Sequence, residues 1–264
     1  MKLIARLIAI FTIVLLGSAA ARAQGAQISV AAAADLTFTL ADIAKEYEAK
    51  THNKLKITYG SSGNFFSQIQ NGAPFDVFLS ADLEHPRKLQ AAGLIESGTL
   101  YRYAIGEIAI WSPAELDLQP GKKMWNTLLD PRVQKIAVAN PAHAPYGSAA
   151  ITALKKAGIY EQVQAKLVYG ENVSQAAQFV QSSNAQAGII ALSLALSPSM
   201  KSGQMWEVPG DMHVPIEQAA VVLKRSRDKA TARTFLDFLK SDTARGILVD
   251  YGFVLPNPAP ARKH

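Results

Sequence analysis

The chain has 264 residues, of which 49% are hydrophobic and 18% are charged, and it contains no cysteine. This length can bury two separate cores, and the lack of cysteine excludes disulfides and thiol chemistry. Lys and Arg exceed Asp and Glu by 27 − 21 = 6 without forming a basic block, so we expect no nucleic-acid partner.

The first 23 residues have the pattern of a signal peptide. Lys2 and Arg6 precede an apolar run at 7–16, and residues 21–23 form an A-x-A cleavage site. The apolar run is too short to span a membrane. We therefore expect cleavage near Ala23, export to the periplasm and a mature charge of 24 − 21 = +3, since the segment carries three basic residues.

The first part of the mature chain alternates between strand and helix patterns. Three strand patterns are each followed by a helix pattern, and the pairs lie at 30–34 and 36–47, at 54–59 and 64–71, and at 75–80 and 86–92. The continuous apolar run at 30–34 is typical of a strand buried on both faces of a parallel sheet. Asp35 or Thr37 is a candidate N-cap for the first helix.

The second part of the chain repeats this alternation. The run at 103–111 is interpreted as a strand leaving lobe one, and 217–224 as the strand that returns to it. We predict an α/β protein of two lobes, each a mainly parallel sheet flanked by helices, joined by a two-strand hinge. Lobe one comprises 24–106 and 222–264, and lobe two comprises 107–221.

Four strand-to-helix loops, two from each lobe, are candidates for a binding site, and they lie at 34–37, 61–64, 146–148 and 173–174. Such loops gather at the carboxyl ends of parallel strands, where ligands bind. The first turn of a helix has unpaired N–H groups and a partial positive charge. None of the loops contains Arg or Lys. They therefore predict a site of neutral donors that suits a compact, fully deprotonated oxyanion.

Six motifs along the mature chain resemble those of the periplasmic molybdate-binding proteins. They are the Ala-rich run with Asp-Leu-Thr at 30–37, Gly-Ser-Ser-Gly at 60–63, Asn-Gly-Ala-Pro-Phe-Asp through Ser-Ala-Asp at 71–82, Asn-Pro through Pro-Tyr-Gly at 140–147, Glu-Asn-Val at 171–173 and Tyr-Gly-Phe at 251–253. The resemblance implies a type II periplasmic-binding-protein fold. It also implies a monomer that captures molybdate or tungstate and delivers it to a membrane ABC permease with its ATPase. No cofactor is implied, and the metal would be bound as its oxyanion, without direct metal ligands.

The resemblance also implies the residues of the anion site. Ser62 would bind through its hydroxyl and amide, Tyr146 and Val173 through their amides, and Asp35 or Ala34 would add a donor, with Ser61 in the same loop as Ser62. Two positions depart from the family pattern. Family members commonly have Ser, Thr or Asn in place of Asp35, and some have a tyrosine in place of Ala191, whose missing phenol Tyr146 would supply.

Asp35 conflicts with an anion site. A carboxylate about 4 Å from a negative charge costs about 4 kcal/mol at an effective dielectric constant of 20. Either its side chain caps its own helix and only its amide faces the ligand, or it accepts a proton from a protonated anion. We favour the cap. The second alternative would favour phosphate- or arsenate-like ligands, so another oxyanion, including a sulfate-like one, stays an alternative ligand.

An enzyme and a metal site are both disfavoured by the sequence. Gly-Ser-Ser-Gly at 60–63 does not match the G-x-S-x-G elbow, which makes an exported serine hydrolase a remote alternative. The five histidines lack metal-binding spacing. We therefore expect a binding protein that closes about its hinge when the anion bridges the two lobes.

Overall fold

The computed structural model describes residues 25–118 and 124–256. The signal peptide predicted at 1–23 lies outside the described residues. Within those residues, every helix is too short or too polar to cross a membrane.

Ten strands and ten α-helices form the described fold. The strands are β1 (Gln27–Ala33), β2 (Lys54–Gly60), β3 (Val77–Ser80), β4 (Tyr101–Gly106), β5 (Ile108–Ser112), β6 (Ile136–Ala139), β7 (Leu167–Gly170), β8 (Ala187–Ala191), β9 (Gln204–Glu207) and β10 (Ile216–Val222). The helices are α1 (Thr39–Thr51), α2 (Ser62–Gln70), α3 (Glu84–Ala91), α4 (Asn126–Leu129), α5 (Pro145–Lys156), α6 (Tyr160–Val163), α7 (Val173–Gln181), α8 (Leu192–Ala195), α9 (Lys229–Phe238) and α10 (Asp242–Asp250).

The strands form two five-stranded sheets with equivalent topology. The first sheet has the order β2-β1-β3-β10-β4 and the second has the order β7-β6-β8-β5-β9. In each sheet the first three strands are parallel, and the fourth runs antiparallel to both of its neighbours. The mainly parallel, two-sheet α/β architecture predicted from the sequence is confirmed.

Burial explains why the apolar runs form central strands. Every residue of β6 is buried, and β1 is buried from Val30 onward, as expected for strands with helices on both faces of their sheet. Helix α1 buries one face, on which Tyr47 packs edge-on against Phe235 at 5.2 Å between ring centroids. The two lobes thus have separate helix-covered cores, which meet at the carboxyl ends of the strands.

The crossings between the lobes differ in detail from the prediction. The run at 103–111 is two strands, because β4 pairs in the first sheet and β5 in the second, with Glu107 between them. The return strand β10 pairs with β3 and β4, so 216–221, assigned above to lobe two, lie in the first sheet. We therefore propose that lobe two ends before Ile216.

Candidate oxyanion-binding site

The predicted site residues line one small cavity between the lobes. The space there is about 200 Å³, including the part open to solvent, and it is bordered by 33–35, 60–62, Ala81, 144–146 and 172–173. These segments follow the carboxyl ends of β1, β2, β3, β6 and β7. All six residues proposed from the sequence are among them, namely Ala34, Asp35, Ser61, Ser62, Tyr146 and Val173.

Ser62 is well placed to donate to an anion. It is the first residue of α2 and is fully buried. Its Oγ accepts a hydrogen bond from the Ala81 amide at 2.9 Å, so the hydroxyl hydrogen remains available to donate in another direction. The Ser62 amide lies in the first turn of the helix, where N–H groups have no intrahelical partner. Ser62 therefore offers two donors at the positive end of a helix dipole.

Lobe two contributes two further helix starts. Helix α5 begins with Pro145, which has no N–H, so the Tyr146 amide is the first donor of that helix. Helix α7 begins with Val173, and the side chain of its N-cap, Asn172, accepts from the Gln175 amide at 3.0 Å. The Asn172 side chain thus engages the Gln175 amide, in the first turn, and not the Val173 amide at the N-terminus of the helix.

Side chains of lobe two hold the loop that follows β1. The Ala34 carbonyl accepts hydrogen bonds from Thr37 Oγ1 at 2.7 Å and from Ser174 Oγ at 3.0 Å. The Asp35 carbonyl accepts one from Ser193 Oγ at 2.8 Å. Because both carbonyls are engaged by lobe two, the position of this loop in the cavity depends on the two lobes being together.

The prediction that the Asp35 side chain caps its helix is wrong. Asp35 lies in a short 3-10 helix, Ala34–Leu36, that has no side-chain cap, and α1 starts only at Thr39, without a cap from Asp35 or Thr37. Instead, Asp35 Oδ2 accepts from Gln218 Nε2 at 2.6 Å and from the Tyr146 hydroxyl at 3.1 Å. The carboxyl group is drawn into the interlobe region because these two donors compensate its burial better than one local amide would.

Burial dominates the acid–base behaviour of Asp35. The residue has no exposed surface, and its Oδ1 has no hydrogen-bond partner. Loss of solvation raises the pKa of Asp35 to about 6, against the lowering effect of the bonds from Gln218 and Tyr146 and of the nearby amide of Asp35 itself. A substantial fraction of Asp35 is therefore neutral in mildly acidic solution.

Gln218 is a central residue that the sequence analysis missed. It lies on β10, and its Oε1 accepts from the Tyr103 hydroxyl at 2.5 Å while its Nε2 donates to Asp35 and to the Tyr146 oxygen. The available signal was a glutamine in a strand that is otherwise largely apolar. The Tyr146 phenol is engaged with Asp35, so the structure does not show it replacing the phenol absent at Ala191.

A second set of contacts joins the lobes at the rim of the cavity. His143 bonds through Nδ1 to Ser61 Oγ at 3.0 Å, and its carbonyl accepts from the Gly63 amide at 2.9 Å. Asn64 donates its side-chain amide to the Glu171 carboxylate. These bonds describe a closed arrangement of the lobes.

The cavity offers neutral donors in place of charged ones. Among the described residues that border it, none is lysine or arginine. In the same described part of the chain, no cluster of three or more His, Asp or Glu residues is arranged to hold a metal ion. The arrangement therefore suits a group that only accepts hydrogen bonds, such as an oxyanion.

Comparison with known proteins gives a consistent family. A family model described as bacterial extracellular solute-binding protein matches residues 28–254. The molybdate-binding protein ModA of Azotobacter vinelandii is 40% identical over 242 residues, covering 90% of this chain and 94% of that protein. ModA of Rhodobacter capsulatus is 38% identical over 234 residues, covering 88% and 90%.

A solved structure shows the same fold. The periplasmic molybdate-binding protein of Azotobacter vinelandii superimposes with a TM-score of 0.80 at 34% identity, covering 87% of this chain and 99% of that one. The match confirms the two-lobed type II fold that the motifs predicted. The chain belongs to the family of bacterial extracellular solute-binding proteins.

Proposed function

We propose that this protein is the periplasmic solute-binding component of a molybdate and tungstate ABC importer. The observation that supports it best is the meeting of helix N-termini from both lobes at one cavity, with the buried Ser62 hydroxyl among them and no cationic side chain lining it within the described residues. The relatives named above as molybdate-binding proteins support the choice of ligand.

The proposed site residues are those predicted from the sequence. Ser62 binds through its hydroxyl and amide, and the amides of Tyr146, Val173 and either Asp35 or Ala34 complete the shell. Ser61 acts indirectly, because its hydroxyl contacts His143 across the cavity rim. Apart from Ser61, these groups contact oxygen atoms of the ligand, so the metal needs no direct protein ligand.

Closure of the lobes is the proposed mechanism of capture. Donors from both lobes can reach the same anion only when the lobes are together, so the anion favours the closed state. A smaller tetrahedral anion would leave some buried donors unpaired, at a cost of about 1–3 kcal/mol each. A membrane permease with its ATPase would recognise the closed form, and the protein would act as an exported monomer without cofactor or catalysis.

One observation favours a second ligand class. The buried carboxyl group of Asp35, with its unpaired Oδ1, could accept a hydrogen bond from an anion that carries its own proton. Phosphate- and arsenate-like anions carry such a proton near neutral pH, whereas molybdate and tungstate do not. A binding protein for a protonated oxyanion is therefore the alternative.

Thermal unfolding of the mature protein with sodium molybdate, tungstate, sulfate or phosphate distinguishes these ligands. An anion present at 100 times its Kd stabilises the fold by about 2.7 kcal/mol, which raises Tm by a few degrees at this size. We expect a shift with molybdate and tungstate. A shift with phosphate alone would support the alternative ligand class, and no shift with any of the four would contradict an oxyanion site.

A pair of variants tests the site itself. Ser62→Ala removes a hydroxyl donor to a charged ligand, worth about 1.5–3 kcal/mol, so the molybdate Kd should rise by about 10- to 150-fold. His143→Ala keeps the backbone carbonyl that accepts from Gly63 and removes only the rim bond to Ser61, worth about 0.5–1.5 kcal/mol, so the Kd should rise by no more than about 2- to 13-fold. Calorimetric titration measures both. Equal affinities for Ser62→Ala and the unmodified protein would refute the site.

A further inference from the structure

The two carboxyl oxygens of Asp35 have different environments. Oδ2 accepts two hydrogen bonds, from Gln218 and Tyr146. Oδ1 is buried, has no partner, and belongs to a residue that borders the cavity. A proton on this carboxyl group would therefore occupy Oδ1, because Oδ2 already faces two donors.

The groups around Asp35 do not neutralise a negative charge. Three side chains face Asp35, namely Tyr103 from β4, Gln218 from β10 and Tyr146 from α5. From α8, the Ser193 hydroxyl donates to the Asp35 carbonyl. Burial and the negative charge of Asp35 both raise the pKa of Tyr103 and of Tyr146, so these phenols stay neutral donors.

The charged groups that act on this network from further away add more negative charge. Asp82, after β3, raises the pKa of Tyr103, and Glu107, between β4 and β5, raises that of Tyr146. Across the rim, His143 from the loop before α5 bonds to Ser61, and Glu171 from the loop before α7 bonds to Asn64. A dianion placed in the cavity would thus meet an ionised Asp35 without an opposing cation among the residues that border it.

We propose that Asp35 takes up one proton from solvent when the oxyanion binds, and that the neutral carboxyl group donates a hydrogen bond from Oδ1 to the ligand. The proton converts a repulsive contact into a donor, and Oδ2 keeps its bonds to Gln218 and Tyr146. Asp35 then determines the pH at which a fully deprotonated anion is captured. This inference rests on the proposed function, because it concerns the same cavity.

The pKa of the ligand-free group supports this coupling. Burial raises the pKa of Asp35 to about 6 when the lobes are closed, so closure alone makes the neutral form accessible, without any contribution from the anion. A neighbouring anion would raise the pKa further, because it disfavours the charged carboxylate. Above the pKa of the ligand-free protein, each molybdate bound should therefore bring close to one proton with it.

Proton uptake is measured by calorimetric titration of the mature protein with sodium molybdate, in buffers that differ in ionisation enthalpy, from about pH 6.5 to about pH 8.5. We expect uptake to approach one proton per molybdate at the upper end of this range. The Kd should weaken by about tenfold per pH unit there. Asp35→Asn, which donates from an amide and does not titrate, should show no uptake and a Kd independent of pH.

Two further variants complete the test. Asp237→Asn changes an exposed carboxylate on α9 and should keep the proton uptake of the unmodified protein. Asp35→Ser repeats the test with a different neutral residue in case Asp35→Asn folds poorly. Two results would overturn this inference and leave the proposed function intact. One is molybdate binding without proton uptake, and the other is proton uptake that persists in both Asp35 variants. Absence of molybdate and tungstate binding at every pH would overturn the proposed function and this inference with it.

Discussion

A methyl group at Gly63 tests whether the lobes must close to bind the ligand. Gly63 is the second residue of α2, and a Cβ built on it lies 2.9 Å from both the Cβ and the carbonyl oxygen of His143 and 3.0 Å from its Cα. These atoms belong to the main chain of lobe two or are fixed to it, so a change of rotamer cannot relieve the contact. Gly63→Ala should therefore hold the lobes slightly apart.

The expected loss of affinity follows from the bonds that closure makes. The hydrogen bond from the Gly63 amide to the His143 carbonyl, 2.9 Å long, would be lengthened or lost, at about 0.5–1.5 kcal/mol. Donors of one lobe would also reach the anion less well, at about 1–3 kcal/mol for each one left unpaired. With one donor left unpaired, the molybdate Kd should therefore rise by about 10- to 2000-fold.

The same change should not weaken the ligand-free fold. Gly63 is helical and is not among the described glycines with positive φ, so alanine suits its backbone and could add about 0.5–1 kcal/mol of stability. Gly246→Ala in α10 is the matched control, because its Cβ would meet nothing within 4 Å. Calorimetric Kd values and ligand-free Tm values of both variants check this. Unchanged molybdate affinity in Gly63→Ala would refute the closure argument.

Two predictions concern the Asp35 network. In the closed arrangement the pKa of Asp35 is raised from 3.8 to about 6, so the closed fold binds more protons than the unfolded chain between these values. Ligand-free stability should therefore fall as pH rises through that window, by up to about 3 kcal/mol. Urea unfolding at several pH values should show this fall, and Asp35→Asn should remove it; a stability difference between the two that does not vary with pH would contradict the assignment. Gly106→Ala would place a Cβ 2.1 Å from the Tyr146 hydroxyl and 2.8 Å from Gln218 Nε2, so Tm should drop in line with about 1–3 kcal/mol of overpacking. An unchanged Tm would mean that the network tolerates displacement.

The sequence predicted the parts of the fold that depend on local pattern. The apolar run that became β1 and the serines that start α2 are each recognisable within a few residues, and so are the loops that begin helices in lobe two. Parallel strands bring such loops to one edge of their sheet, so their meeting at one cavity follows from the order of the elements alone. The fold and the position of the candidate site were therefore predictable.

The partners of Asp35 were not predictable in the same way. Gln218 lies 183 positions further along the chain and Tyr146 lies 111 positions further, and both contacts depend on how the two sheets meet. A helix cap was the local option for Asp35, and the non-local bonds to two donors displaced it. The break at Glu107 was missed for a related reason, because β4 and β5 have the same β-type composition but pair in different sheets.

A carboxyl group in a cavity of neutral donors has consequences for both capture and release. With a pKa of about 6 in the closed arrangement, roughly a tenth of the closed protein holds a neutral Asp35 at pH 7, so the apparent affinity of the closed form for a deprotonated anion is about tenfold below that of its neutral form. Opening the lobes would return Asp35 to water and separate it from Tyr146, which belongs to lobe two. Since burial raised the pKa, opening lowers it, and the proton and the anion leave together. An asparagine at position 35 would also donate a hydrogen bond to the anion, but it would not link release of the anion to release of a proton.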